Sequence, residues 1–155
     1  MIRISLLIFG VIAGWNTQAQ EVPTVDYPQL EEVLEAIEDD AQPVLINFWA
    51  TWCAPCVAEL PYFKKVKEQR TNLTIVFVSL DFPSQKASKL LPFIQENELP
   101  GRHFLLDDPA AHEWVSKVDE RWSGALPATV FKNGSDQVFH EGKFSDYDEL
   151  LNFLE

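Results

Sequence analysis

Basic residues are scarce in this sequence, in which 12 Lys and Arg stand against 24 Asp and Glu and leave a formal net charge of -12 at pH 7. A protein with this balance has no basic patch to hold a phosphate backbone, so nucleic-acid binding is excluded. An anionic membrane surface would repel it for the same reason. The excess acid is interpreted as keeping the protein in solution.

Cysteine is also scarce, because Cys53 and Cys56 are the only two in 155 residues. A structural zinc ion needs four ligands, and the three histidines show no paired spacing: His103, His112 and His140. No metal site is therefore predicted. The six glycines form no glycine-rich phosphate loop, and no cofactor is expected.

The N-terminal segment has the order of charges and apolar residues that a secretory signal peptide has. Residues 1–3 supply one positive charge, residues 4–13 form an apolar stretch, and residues 15–20 are polar and end in small side chains. We expect residues 1–20 to be removed on export, to the periplasm or outside the cell. A membrane anchor is the less favoured alternative, because the apolar stretch is short for a bilayer.

The remaining chain, residues 21–155, is predicted to be one α/β domain with alternating elements followed by a β-hairpin and a last helix. Residues 44–49 and 73–80 read as short buried strands, because each run is mostly apolar. Residues 86–97 are predicted to form a helix. Asn133 and Gly134 form a two-residue hairpin signal. Ser145 is expected to cap the final helix.

Cys53 and Cys56 stand where the strand of residues 44–49 turns into a helix. A bridge between them closes a very short loop and constrains the unfolded chain little, so a structural crosslink is a poor explanation. The positive end of the helix dipole stabilises a thiolate at the first position. The pair is therefore predicted to exchange disulfides with other molecules.

Residues 47–56 read Asn-Phe-Trp-Ala-Thr-Trp-Cys-Ala-Pro-Cys, residues 59–61 read Glu-Leu-Pro, and residues 126–129 read Leu-Pro-Ala-Thr. With these three motifs the chain resembles the thioredoxin superfamily, and within it the exported TlpA/ResA branch. The resemblance covers about residues 25–155. It implies a thioredoxin-like fold, a central mixed β-sheet flanked by helices, with a C-terminal β-hairpin plus helix. A central insertion at residues 81–124 is the candidate surface for partner choice.

The same resemblance implies the roles of the site residues. Cys53 is the nucleophile that attacks a substrate disulfide, and Cys56 is the resolving thiol. Trp52 offers a flat apolar contact to the substrate. Leu126 and Pro127 bind the substrate chain beside Cys53, with Pro127 in the cis conformation.

One departure from the family pattern concerns the proton of Cys56. Thioredoxins have a buried Asp where this chain has Asn47, and Phe77 stands where they have its Lys partner. An amide cannot titrate, so Asn47 is no general base. Glu59 and Asp81 are the candidate replacements, and the alternative is that each is a solvated surface carboxylate.

The predicted function is reduction of disulfides in other exported proteins, with apocytochrome c among the substrates that the resemblance suggests. Pro55, before the second cysteine, resembles the reducing members and is assigned to substrate binding. A membrane thiol-electron transporter is the implied reductant, and the chain is expected to be a monomer. The alternatives are a disulfide oxidase or isomerase, and a non-catalytic binding module that uses the surface around Trp52 and Pro127.

Overall fold

A six-stranded β-sheet forms the centre of the structure, a computed structural model that describes residues 21–38 and 42–155. The predicted signal peptide, residues 1–20, lies outside the described residues. The strands are β1 Thr24–Val25, β2 Val44–Trp49, β3 Thr74–Ser79, β4 Arg102–Leu106, β5 Ala128–Asn133 and β6 Asp136–Glu141. The helices are α1 Tyr27–Glu38, α2 Ala54–Gln69, α3 Leu91–Glu96, α4 Ala111–Val118 and α5 Tyr147–Phe153.

The strand order is β1-β4-β3-β2-β5-β6, so β2 lies in the interior of the sheet. Strand β2 pairs with β3 in parallel and with β5 in antiparallel orientation, which makes the sheet mixed as predicted. Every residue of β2 is buried, because helices cover both faces. The carboxyl end of this strand leads directly into the turn that carries the cysteines.

The two faces of the sheet have separate cores. Leu60 of α2, Ile94 of α3 and Leu150 of α5 pack on the face to which Leu45 of β2 points. On the other face α1 and α4 pack against the alternate residues of β2 and β3, among them Ile46. Because successive side chains of a strand point to opposite faces, Asn47 lies on the α2 face.

The predicted order of elements is confirmed, with three differences in detail. Strand β1, at the edge of the sheet, is not among the predicted elements. The predicted helix 86–97 is divided: a 3₁₀ turn, Pro83–Gln85, and a π-helical segment, Lys86–Leu90, precede α3. The expectation that Ser145 caps the last helix is wrong, because the cap is the next residue, Asp146.

Asp146 caps α5 because its backbone is extended and its carboxylate accepts the N–H of Glu149 at 2.9 Å. Ser145 lies one residue too early for this geometry. Its own backbone N–H donates to the carboxylate of Glu149 instead.

Candidate active site

Cys53 and Cys56 form a disulfide at the N-terminus of α2, with a Cα–Cα distance of 5.2 Å. Cys53 is the N-cap residue, and its sulfur accepts the backbone N–H of Cys56 at 3.3 Å. Cys56 is completely buried, whereas Cys53 keeps an exposed fraction of 6%. The sulfur of Cys53 is therefore the one that another protein can reach.

Exposed apolar side chains lie in the cysteine turn and after the end of the neighbouring strand β3. Trp52, which precedes Cys53, is 58% exposed. Phe82, which follows the end of β3, is 62% exposed. Pro55 is exposed in the first turn of α2, a position that tolerates proline because its N–H has no helical partner. This surface offers flat apolar contacts to a bound polypeptide.

Leu126 and Pro127 precede β5, and the peptide bond between them is cis, as the resemblance implies. In the antiparallel pairing of β5 with β2, Ala128 faces Phe48. The residues just before β5 therefore run alongside the end of β2, where the cysteine turn begins. Leu126 is half-buried and packs against the core on the α2 face.

Beneath the disulfide lies a buried group of polar side chains. Glu59 is completely buried and stands three residues after Cys56 on α2, a spacing that puts both on one helix face. Its Oε1 accepts the Nδ2–H of Asn47 at 3.0 Å, and its Oε2 accepts the N–H of Phe144 at 2.9 Å. Asn47 also donates to Oγ1 of Thr129 at 3.0 Å.

Burial raises the pKa of Glu59 to about 7. The hydrogen bonds from Phe144 and Asn47 and the charge of Lys143 oppose this rise, and the charge of Glu149 adds to it. A carboxyl group with this pKa can take up and release a proton near neutral pH. This is the property that Asn47 lacks.

Asp81 is also buried, with an exposed fraction of 2%, and it lies after the end of β3. Its carboxylate accepts hydrogen bonds from Thr51 and Ser79. Neither Glu59 nor Asp81 is the solvated surface carboxylate of the alternative interpretation. The two belong to different groups of residues: Glu59 lies on the buried face of α2, and Asp81 lies beside the turn before Cys53.

Sequence reasoning gave no role to Thr129 and Thr51, which the structure brings into these groups. Thr129 faces Asn47 across β5 and β2, and it is a buried polar residue in an apolar strand. That interruption of an apolar run was the available signal for Thr129. Thr51 has no comparable signal, because its partner Asp81 is 30 residues away.

Phe77 on β3 pairs in register with Asn47 on β2 and with His103 on β4. The two rings stack with centroids 5.2 Å apart. Burial lowers the pKa of His103 to about 4, against the effect of its contact with the carbonyl of Leu99. A neutral imidazole is therefore part of the core on the α2 face.

Among the described residues, no group of three or more His, Cys, Asp or Glu side chains is arranged to hold a metal ion. Within the same part of the chain, no helix combines the length and apolar character needed to cross a membrane.

Residues 25–91 match the thioredoxin family model. The thiol-disulfide oxidoreductase ResA of Oceanobacillus iheyensis is 25% identical over 170 residues, which cover 99% of this chain and 83% of that protein. Sporulation thiol-disulfide oxidoreductase A of Bacillus subtilis is 28% identical over 108 residues, 64% of this chain and 66% of its own.

A solved structure with the same fold is that of a secreted disulfide oxidoreductase of Mycobacterium tuberculosis, homologous to E. coli DsbE. It is 21% identical, has a TM-score of 0.56, and covers 74% of this chain and 81% of its own. These likenesses confirm the family resemblance and the fold class inferred from the sequence. The roles of individual site residues stay predictions.

Proposed function

Because the chain belongs to the thioredoxin family, within its TlpA/ResA-like branch, we propose that it reduces disulfides in other exported proteins. The activity class is that of a thiol-disulfide oxidoreductase with a Cys53–Cys56 redox pair. One observation carries the proposal: the pair lies at a helix N-terminus with Cys53 outermost and Cys56 buried. The reducing direction rests on Pro55 and the resemblance.

The reaction begins with the reduced enzyme, whose Cys53 thiolate attacks one sulfur of a substrate disulfide. The other substrate sulfur leaves as a thiolate, and a mixed disulfide remains. Cys56 then loses its proton and attacks the Cys53 sulfur, so the second substrate sulfur leaves. Two electrons have passed to the substrate, and the enzyme holds the Cys53–Cys56 disulfide.

Glu59 is proposed to accept the proton of Cys56 in the second step. Its place three residues after Cys56 on the same face of α2, its complete burial and its pKa of about 7 support this role. Asn47 and Phe144 hold the carboxyl group by its two oxygens. They orient it without themselves exchanging a proton.

Trp52, Pro55, Leu126 and Pro127 are proposed to contact the substrate chain around its disulfide. The exposure of Trp52 and Pro55 and the position of Leu126 and Pro127 just before β5, beside the end of β2, support this.

We propose that the protein works outside the cytoplasm, after removal of residues 1–20. The composition of that segment supports export, as does the likeness to a secreted protein. An oxidising compartment supplies no reducing thiols, so electrons must reach the pair from elsewhere. A membrane thiol-electron transporter is the proposed donor, and disulfides of exported proteins, apocytochrome c among them, are the proposed substrates.

The central test is to trap a substrate with Cys56→Ser. This variant retains the attacking thiol and lacks the resolving one, so mixed disulfides with exported proteins should accumulate and be identifiable by mass spectrometry. Cys53→Ser is the matched control and should trap nothing. If Cys56→Ser forms no adduct while its Cys53 still reacts with an alkylating agent, the proposed function is wrong.

An oxidase or isomerase would use the same residues in the opposite direction. The reduction potential of the pair decides between them: a value well below that of the glutathione couple favours the reductase, and a value near or above it favours the oxidase or isomerase.

A further inference from the structure

Asp81 is a buried acidic residue that the proposed reaction does not use. It follows the last residue of β3, and only 2% of it is exposed. Burying a carboxylate costs free energy unless hydrogen-bond donors satisfy its oxygens. The residues that donate to Asp81 therefore indicate its role.

The carboxylate of Asp81 receives three hydrogen bonds. Its Oδ2 accepts the backbone N–H of Thr51 at 3.0 Å and the hydroxyl of Ser79 at 2.7 Å. Its Oδ1 accepts the hydroxyl of Thr51. The backbone N–H of Asp81 in turn donates to the Ser79 hydroxyl at 3.0 Å, which fixes the acid itself.

Thr51 lies inside the turn that carries the nucleophile. The N–H of Cys53 donates to the carbonyl of Ala50 at 3.1 Å and closes this turn around Thr51. At its far end the sulfur of Cys53 accepts the N–H of Cys56 at 3.3 Å. The position of that sulfur at the start of α2 therefore depends on the conformation of the turn.

We propose that Asp81 is a positioning residue, which holds Thr51 by its backbone and side chain and so keeps the Cys53 sulfur at the N-terminus of α2. The inference rests on the proposed function, because it explains how the nucleophile of that reaction is kept reactive. Charge-assisted hydrogen bonds to both polar groups of one residue restrict that residue more than a single neutral bond would. A thiolate loses stabilisation when it moves away from the first turn of a helix.

This role differs from that of a general base, and a conservative substitution separates the two. In Asp81→Asn the amide oxygen can accept the bonds of the Thr51 N–H and the Ser79 hydroxyl, while the amide nitrogen donates to the Thr51 hydroxyl. All three contacts remain and only the charge and the basic site are lost. In Asp81→Ala the contacts themselves are lost.

The experiment measures the rate at which reduced Cys53 reacts with iodoacetamide, as a function of pH, with peptide mapping to assign the modified thiol. Asp81→Ala should react about tenfold more slowly at pH 7, as happens when the midpoint of thiol ionisation rises by about one pH unit. Asp81→Asn should stay within about twofold of the wild type, because its bonds are weaker but complete.

Asp108→Ala is the matched control, since Asp108 also accepts two backbone N–H groups, those of Tyr27 and Ala110, and is remote in sequence from the cysteines. It should lower thermal stability and leave the alkylation curve unchanged. Thr51→Val keeps the Thr51 N–H bond and removes the hydroxyl bond, so it should slow alkylation about threefold. It replaces Asp81→Ala in the comparison if that variant does not fold.

The inference is overturned if Asp81→Ala, or Thr51→Val in its place, alkylates at the wild-type rate. It is also overturned if Asp81→Asn is slowed as much as Asp81→Ala, because keeping the three contacts would then fail to preserve the reactivity of Cys53. A wild-type protein with normal alkylation but no exchange with any disulfide substrate contradicts the proposed function and leaves the positioning result intact.

Discussion

At the scale of single residues, Glu59 shows how a buried acid obtains a pKa near neutrality. An ionised carboxylate can accept about four hydrogen bonds, and the donors to Glu59 are one amide of Asn47 and one backbone N–H of Phe144. Two neutral donors offset only part of the cost of removing a charge from water. The neutral acid therefore persists to a pH of about 7, whereas an exposed Glu ionises far below that.

Substitution of Glu59 by Gln should remove one step from the pH dependence of the reaction. In the wild type, release of substrate from the mixed disulfide should speed up through pH 7 as Glu59 ionises and becomes able to accept the proton of Cys56. In Glu59→Gln this rise should disappear, and the rate at pH 8 should fall on the order of a hundredfold. Stopped-flow measurement of mixed-disulfide resolution across pH 5–9 would test this.

Glu68→Gln is the matched control, because Glu68 is an exposed acid on the same helix and its loss changes the net charge equally. Its pH profile should overlay that of the wild type. A rise through pH 7 that persists in Glu59→Gln would mean that another group takes the proton.

The sequence allows some of these residues to be assigned and hides others. Cys53 and Cys56 stand close together in one motif, and Glu59 lies one helical turn farther, so their relation is local and can be read from the motif. Asn47 meets Thr129 across 82 residues, a contact that depends on the register of β2 against β5. No pattern within a single segment encodes that register.

At the scale of elements, mostly apolar runs predicted β2 and β3 well, because strands buried on both faces read as nearly continuous apolar sequence. Strand β1 has only two residues and is too short to show any periodicity. The prediction of a helix over residues 86–97 is wrong for its first five residues, which are π-helical. Pro92 has no N–H to give to the carbonyl of Ser88, and the preceding turn widens so that the N–H of Leu91 bonds to Lys86.

The cap of α5 gives a test at this scale, since Asp146 and its neighbour Ser145 differ in one respect. Asp146 accepts the N–H of Glu149 through its side chain and so satisfies a helix N–H, whereas Ser145 donates to the exposed carboxylate of Glu149, through its backbone N–H, which alanine retains, and through its hydroxyl. Asp146→Ala should therefore lower the free energy of unfolding by about 1 kcal/mol, and Ser145→Ala by clearly less. Urea denaturation of both variants measures the difference; equal losses would contradict this assignment of the cap.

At the scale of the whole molecule, the core on the α2 face contains two buried titratable side chains of opposite type. Glu59 is held neutral up to a pH of about 7, and His103 is held neutral down to about 4. They are linked through one row of the sheet, where Phe77 lies between Asn47 and His103. Both have ordinary pKa values once the chain unfolds, so both connect folding to pH.

Their effects on stability have opposite signs. Glu59 has a raised folded pKa, so the stability it contributes is present below about pH 4.5 and is lost as pH rises through about 7. His103 has a lowered folded pKa, so its contribution is present above about pH 6.5 and is lost as pH falls toward about 4. Between about pH 4.5 and 6.5 the unfolded chain gains one proton at His103 and loses one at Glu59, and the two slopes cancel.

Removing either side chain should therefore expose the slope of the other in the oxidised protein. The free energy of unfolding of Glu59→Gln minus that of the wild type should rise with pH between about 4.5 and about 6.5. The limiting slope of this difference is about 1.4 kcal/mol per pH unit. His103→Gln should show the opposite slope, becoming less stable over the same range. Urea unfolding at half-unit pH intervals gives both differences, and subtraction of the wild type removes the effect of the exposed carboxylates common to all variants.

His112→Gln, an exposed histidine changed in the same way, should show neither slope. If the two differences from the wild type have the same slope, burial does not shift the pKa values of Glu59 and His103 in opposite directions.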